Sequence, residues 1–262
     1  MSPEVVAAGL FGLLVGSFLN VVAHRVPLGL SVVRPASRCP GCGHEVRRRD
    51  NVPVLSWVLL RGRCRDCAAP ISVRYPLVEL ATGVLFAATA AVVGPTWALP
   101  AYLYLAGIAV PLTLIDLQVH RLPDRIVLPS YGVALVLLTA ASAGSGDWAA
   151  LLRALAGGCA LFLLYAVVFV VKPGGMGLGD VKLAGVLGLY LAWWSWDALA
   201  VGGFLAFLLG GLVAVPLVLF TAAGRRSKMP FGPAMLVGAL LALVVAEPVG
   251  DWYLSLVGLG TV

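Results

Sequence analysis

Three observations predict an all-α polytopic membrane protein of about eight transmembrane helices, with a small polar cytoplasmic insert between the first two. Of the 262 residues, 61% are hydrophobic and only 11% charged, and the mean hydropathy is +1.00. Soluble domains carry roughly 25% charged residues, so a water-facing surface of ordinary composition is excluded. The apolar residues gather into eight stretches, several matching the roughly 20 residues that a helix needs to cross a bilayer. Finally, ten of the eighteen Lys and Arg residues crowd into residues 24–75.

Val5 to Ala23 is the first stretch. The Met-Ser-Pro-Glu before it has no basic residue, and His24-Arg25 follow it, so it is expected to be a retained helix and not a cleaved signal peptide. Residues 24–75 form the polar insert. Pro76 to Val93, Trp97 to Ile115, Ile126 to Ala143 and Leu151 to Val171 come next, and the last two are nearly free of charge. Val181 to Trp196, Ala198 to Ala223 and Pro230 to Ala246 complete the series, the first and third of these being short for a span. The expected organisation is therefore a first helix (1–23), an insert (24–75) and a seven-helix membrane domain (76–262). The 31 Gly and 17 Pro lack a collagen period and suit closely packed membrane helices.

Eight spans would send alternate loops to opposite sides. Ten basic residues in the insert, Arg121 and Arg125, Lys172 and Lys182, and Arg225, Arg226 and Lys228 then share one side, seventeen of eighteen, and Arg153 alone lies opposite. Basic loops stay in the cytoplasm, which places the insert there and both termini outside. The net charge of +6 is thereby accounted for by topology. No aromatic-rich basic groove accompanies it, so the expected surroundings are the lipid bilayer and not nucleic acid.

Four of the five cysteines lie in the insert, as Cys39-Pro40-Gly41-Cys42 and Cys64-Arg65-Asp66-Cys67. Each pair sets two sulfurs about one turn apart, and together they offer four thiolates to a tetrahedral Zn²⁺. A reducing cytosol disfavours disulfides. Gly43 suits the turn after the first pair, and a polar insert with few apolar residues gains stability from metal closure. Cys159, inside an apolar stretch, is a packing residue.

Carboxylates near membrane depth are costly and usually functional. Asp116 ends the third apolar stretch, where the helix dipole disfavours an ionised acid. Asp124, in Leu122-Pro123-Asp124, stands where a helix cap or a first-turn acid is ordinary. Asp180 opens the sixth helix within Gly174-Gly175-Met176-Gly177-Leu178-Gly179-Asp180. Gly177 and Gly179 remove bulk beside it and would let another helix or an extended peptide come close. No βαβ unit precedes these glycines, so they are no dinucleotide fingerprint. Lys182 reads equally as a snorkelling boundary residue and as a local countercharge. Two carboxylates meeting in a poorly solvated site share one proton, the acid–base pairing of aspartic proteases. Asp116 and Asp180 stand 64 residues apart (180 minus 116), and spacing alone does not bring them together.

Several motifs, in order along nearly the whole chain, resemble the bacterial type IV prepilin peptidases. They are Gly16-Ser17-Phe18-Leu19-Asn20-Val21-Val22-Ala23-His24-Arg25, the two Cys pairs, Asn51-Val52-Pro53-Val54-Leu55-Ser56-Trp57, Leu60-Arg61-Gly62-Arg63-Cys64, Pro70 to Glu79, Gly177-Leu178-Gly179-Asp180-Val181-Lys182 and Pro230-Phe231-Gly232-Pro233. The resemblance implies a GxGD-type aspartic endopeptidase that removes the short basic leader of type IV prepilin or pseudopilin precursors at the cytoplasmic membrane face. It implies Asp116 and Asp180 as the catalytic pair and an accessory role for Asp124. Many members that keep the cysteine-bearing insert also methylate the new N-terminus with S-adenosylmethionine, a second activity the resemblance extends to this chain without naming its residues. Read without the resemblance, the residues leave two alternatives open. One is a proton-coupled transporter using Asp116 and Asp180 as a relay, and the other is a zinc-stabilised membrane scaffold.

The charge partition makes a direct prediction. A reporter fused after Asp50 reads cytoplasmic and one fused at Val262 reads external, and both reading on one side would mean an odd number of spans.

Overall fold

The computed structural model describes residues 2–172, 175–220 and 230–256, with side chains throughout except at 216–220 and 254. Gly174, Arg225, Arg226, Lys228 and Val262 lie outside the described residues. Each of the eight apolar stretches is a helix. In chain order the helices are α1 (Pro3–Arg25), a short α2 within the insert (Leu55–Leu59), α3 (Arg74–Val93), α4 (Leu99–Val119), α5 (Asp124–Ser145), α6 (Trp148–Val171), α7 (Leu178–Trp194), α8 (Trp196–Phe220) and α9 (Gly232–Leu256). Among the described residues there is no strand, only two isolated bridges, Arg38 with Glu45 and Arg63 with Pro70. Seven helices (α1, α3, α4, α5, α6, α8 and α9) are long and apolar enough to cross a bilayer, which makes this a multi-pass membrane protein.

The largest differences from the sequence expectation are at the C-terminal ends of α4 and α9. α4 runs beyond Asp116 to Val119 and stops at His120, whose left-handed φ of 53° ends the ladder while its N–H still bonds the Asp116 carbonyl at 2.9 Å. Asp116 therefore sits inside the last turn. α9 continues through Pro248 to Leu256, and a proline within a membrane helix is tolerated because neighbouring groups re-satisfy the freed backbone.

The chain divides into two compact units. The first holds residues 1–95 and 102–114. Within it α1 and α3 pack at backbone distance: a Cβ added to Gly12 would lie 2.8 Å from Phe86 Cβ and from the Thr82 carbonyl, and one at Gly16 would lie 2.8 Å from Glu79 Cα. Buried Asn20 donates its amide to the Tyr75 carbonyl at 3.2 Å. Glu79, also buried, accepts the Val54 N–H at 2.7 Å and so ties the start of α2 to α3. A charged group in an apolar helix pair is costly unless so partnered.

The second unit holds residues 96–101 and 115–262, with α7 at its centre. Every residue from Leu183 to Ala192 is buried, so this helix is apolar on all faces and meets protein on all of them. Its 17 residues are few for a lipid-facing span. Gly188 packs against Gly157 and Gly158 of α6, where a Cβ would come within 2.5 Å of the Gly157 carbonyl. At the far end of α7, Arg153 of α6 donates to the carbonyls of Ala192 at 2.5 Å and Trp193 at 2.7 Å. The last carbonyls of a helix lack intrahelical partners. Arg153 thus closes the C-terminal end of the central helix.

Candidate functional site

Within the insert the four cysteines converge. Their sulfurs all lie within 4.8 Å of one another, and Cys39 and Cys67 Sγ are 3.7 Å apart. Tetrahedral thiolate sites with metal–sulfur bonds of about 2.3 Å put neighbouring sulfurs about 3.8 Å apart. Two matching turns build the cluster. Cys39 N–H donates to the His44 carbonyl and Gly43 N–H to the Cys39 carbonyl, at 2.9 and 2.8 Å; Cys64 N–H donates to Ala69 and Ala68 N–H to Cys64, at 2.8 and 2.9 Å. The fifth residue of each turn has positive φ, 73° at Gly43 and 58° at Ala68. Glycine takes that conformation freely; alanine does so at a cost.

Two ion pairs join the turns across the insert. Arg47 holds Asp66 at 2.7 Å, and Arg65 holds Asp50 through Nη2 at 2.6 Å and Nε at 3.0 Å. The hydrogen bond from Arg65, with its charge, keeps the Asp50 carboxyl below the ordinary range. The backbone N–H groups of Cys42 and Gly41 pull the Cys39 thiol down to about 7. Cys67 is pushed up to about 12: the Ala69 amide favours its thiolate, but burial and the neighbouring Cys42 and Cys39 sulfurs outweigh it. Four thiolates this close need a cation among them, and the donor set fits a metal ion.

The sequence-expected aspartates both belong to the second unit. Asp116 is 4% exposed, and its Oδ2 accepts the N–H of Gly232 at 3.0 Å, at the first residue of α9. Asp180 is 9% exposed and is the third residue of α7; its Oδ2 accepts the N–H of Gly177, the residue before that helix, at 2.9 Å. Each acid is therefore held at a helix N-terminus, where unpaired N–H groups and the dipole favour a carboxylate. Leu122 packs beside Gly179, the neighbour of Asp180, and beside Gly232, the donor to Asp116, so the turns that hold the two acids border one side chain.

Around them the accessory residues take roles the sequence left open. Lys182 pairs with Asp124, at 2.8 and 2.9 Å to its two oxygens, joining the first turns of α5 and α7. Asp124 is the first residue of α5 and not its cap, which is Pro123. Lys182 accordingly serves as a countercharge, but to Asp124. The room at Gly177 and Gly179 is used within the chain. A Cβ at Gly179 would lie 3.0 Å from Leu122 Cβ, and one at Gly177 would lie 3.2 Å from the Asp180 carboxylate.

Sequence reasoning passed over two members of the site. Gly232 must lack a side chain, since a Cβ there would lie 2.8 Å from Asp116 Oδ2. Leu122 touches both glycines, its Cδ2 lying 3.0 Å from the Gly232 position, and so wedges between the turns that hold the two acids. Their signals were present in Leu122-Pro123-Asp124 and Pro230-Phe231-Gly232-Pro233, but a short motif says nothing of what it packs against.

The chain matches the Bacterial Peptidase A24 N-terminal domain over residues 10–93 and the Type IV leader peptidase family over residues 103–219. It is 38% identical to the prepilin leader peptidase/N-methyltransferase of Aeromonas hydrophila, over 94% of this chain and 92% of the relative. The chain belongs to the type IV leader peptidase family. Another relative with that name, from Pseudomonas aeruginosa, is 36% identical over 95% and 93% of the two chains. The Myxococcus xanthus relative is 42% identical over 83% of this chain and 64% of its own. No solved structure matches. The cysteine-bearing insert of this leader peptidase falls inside the first matched region and α5, α6 and α7 inside the second, while α9 lies beyond both.

The paired turns predict opposite effects of two substitutions on metal retention. Ala68→Gly relieves a strained φ worth about 1 kcal/mol, so the insert holds its metal about fivefold more tightly in a chelator competition. Gly43→Ala introduces the same strain and loosens the metal by a similar factor.

Proposed function

We propose that Asp116 and Asp180 are the catalytic pair of an aspartic endopeptidase that removes the leader of type IV prepilin or pseudopilin precursors at the cytoplasmic face of the membrane. The observation that carries this reading is the placement of both carboxylates, buried and each accepting one helix-terminal N–H, in turns that border the same Leu122, in a chain of the leader peptidase family. Two acids so placed share one proton. The ionised one takes a proton from water, which attacks the scissile carbonyl; the protonated one supplies a proton to the oxygen or to the leaving amine. Gly177 and Gly232 act as donors that orient the two carboxylates, and Asp124 with Lys182 acts as a clamp between α5 and α7.

The three-part organisation, 1–23, 24–75 and 76–262, is retained as a division of labour, with hydrolysis in the last part and a metal-closed insert in the second. Zn²⁺ is the ion that Cys39, Cys42, Cys64 and Cys67 suit, since four thiolates leave no open position and make the site structural. The insert and active site face the cytoplasm, and both termini lie outside, by the distribution of basic residues and with the 17-residue α7 counted as an eighth crossing.

Methylation of the new N-terminus is the second activity suggested by the relatives' names. A cavity of about 280 Å³ in the first unit, lined among others by Ser17, Arg25, Ser37 and Asn51, has no carboxylate in its wall. It is also smaller than ordinary cofactor sites of roughly 300–1,000 Å³. It does not fit S-adenosylmethionine, whose sulfonium and ribose hydroxyls call for an acid, and no residue is assigned to the methyl donor.

Co-expression with candidate precursors, followed by mass measurement of the processed N-terminus, tests the reading and reports cleavage and methylation together. Asp116→Asn and Asp180→Asn each abolish cleavage while the protein still accumulates in the membrane, and the double variant is no worse than either, because the pair acts as one unit. Asp124→Asn does less damage, since an exposed ion pair is worth about 0–1 kcal/mol. Near wild-type cleavage by Asp180→Asn would remove the peptidase reading and return the proton relay. Metal analysis is expected to find about one zinc per chain, with less in Cys42→Ser.

A further inference from the structure

Tyr165 of α6 is fully buried, and its hydroxyl has no hydrogen-bond partner among the described residues. Its ring packs with two phenylalanines, Phe207 at 5.2 Å and Phe231 at 6.3 Å between centroids, and those two stand 5.6 Å apart. Phe231 immediately precedes Gly232, whose N–H holds Asp116, and its ring is seated where Gly210 has no side chain. Asp180 lies within electrostatic reach of the Tyr165 hydroxyl. The Tyr165 ring is thus packed beside the turn that holds Asp116.

Packing does not explain it. Two of the three rings in this cluster are phenylalanine, and a third would fill the same space without burying a polar atom. An unpaired buried hydroxyl costs stability, and such groups are rare unless they serve a function. Neither aspartate takes it up: each has its hydrogen bond from a backbone N–H, Gly177 for Asp180 and Gly232 for Asp116. The donor is thus left without a protein acceptor among the described residues.

We propose, building on the aspartic-peptidase reading, that Tyr165 is a catalytic residue whose hydroxyl donates a hydrogen bond to the scissile carbonyl oxygen as it becomes an oxyanion. In that step the water oxygen bonds to the carbonyl carbon, the carbonyl π pair moves onto oxygen, and the proton lost by water passes to one aspartate. On collapse the C–N bond breaks and the leaving amine takes a proton from the pair. Tyr165 keeps its own proton throughout. Its contribution is a preorganised donor in a site of low dielectric, where such donors act most strongly.

The test is Tyr165→Phe in the full-length protein in proteoliposomes, with steady-state cleavage of a precursor peptide and thermal unfolding measured on the same preparations. The expected result is a kcat about 10²-fold to 10³-fold lower, the loss typical of removing one oxyanion donor, with KM unchanged within about twofold. The melting temperature is equal or higher, because an unsatisfied hydroxyl has been removed. Activity and stability moving in opposite directions is a signature that a structural tyrosine would not give. A kcat within about threefold of wild type, a change confined to KM, or a fall in kcat together with a fall in melting temperature would each overturn the assignment. Asp180→Asn run in parallel separates the two readings. If it still cleaves, the aspartic-peptidase reading itself fails; if it is inactive while Tyr165→Phe is fully active, only the role of Tyr165 falls.

Discussion

A carboxylate kept among apolar helices has to be received by donors that cost the fold little, and backbone N–H groups at helix N-termini are such donors. Asp116 and Asp180 each depend on one, from Gly232 and Gly177. The arrangement requires a helix to begin beside each acid. It also requires glycine at the donor facing Asp116, because a Cβ at Gly232 would meet the carboxylate. Leu122 fills the space beside Gly179 and Gly232 and so excludes side chains from both turns. The position of the acids and the packing of these turns are thus one constraint.

The central helix α7 transmits that constraint to the rest of its unit. Membrane helices gain little from the hydrophobic effect among themselves and associate through close van der Waals contact, which small residues permit. Gly188 against Gly157 and Gly158 gives α6 and α7 this contact. Polar links then close both ends of α7. Lys182 reaches Asp124 near its start, Tyr131 donates to the Lys182 carbonyl at 2.6 Å, and Arg153 takes the last carbonyls. A helix fixed in this way carries Asp180 to a defined depth, a precondition for chemistry that tolerates little misplacement.

The insert solves a different problem. The insert of some fifty residues keeps many of its apolar side chains exposed, Val33, Leu55 and Leu59 among them, and two cysteine turns that could hold a metal offer it closure. The turns share a hydrogen-bond pattern and a positive φ at the same place, although one uses Gly43 and the other Ala68. Arg47 with Asp66 and Arg65 with Asp50 then fasten one turn to the other. Glu79 links this assembly to α3 through the Val54 N–H.

Much of this protein was legible in the residues alone. Hydropathy marked the eight long helices, seven because a lipid-facing helix must be apolar along its length and α7 because it is buried among the others, and the two Cys-x-x-Cys pairs announced a cluster because sulfurs one turn apart have few other uses. The limits of α4 and α9 were missed, since a left-handed residue such as His120 or a tolerated proline such as Pro248 leaves no mark in hydropathy. Only the tertiary structure decided that the turns holding Asp116 and Asp180 border the same Leu122, that Lys182 serves Asp124, and that Gly179 makes room for Leu122. Each of these joins residues distant in the chain. Local sequence sets which groups a helix carries, while the packing of other helices against it sets which of those groups meet.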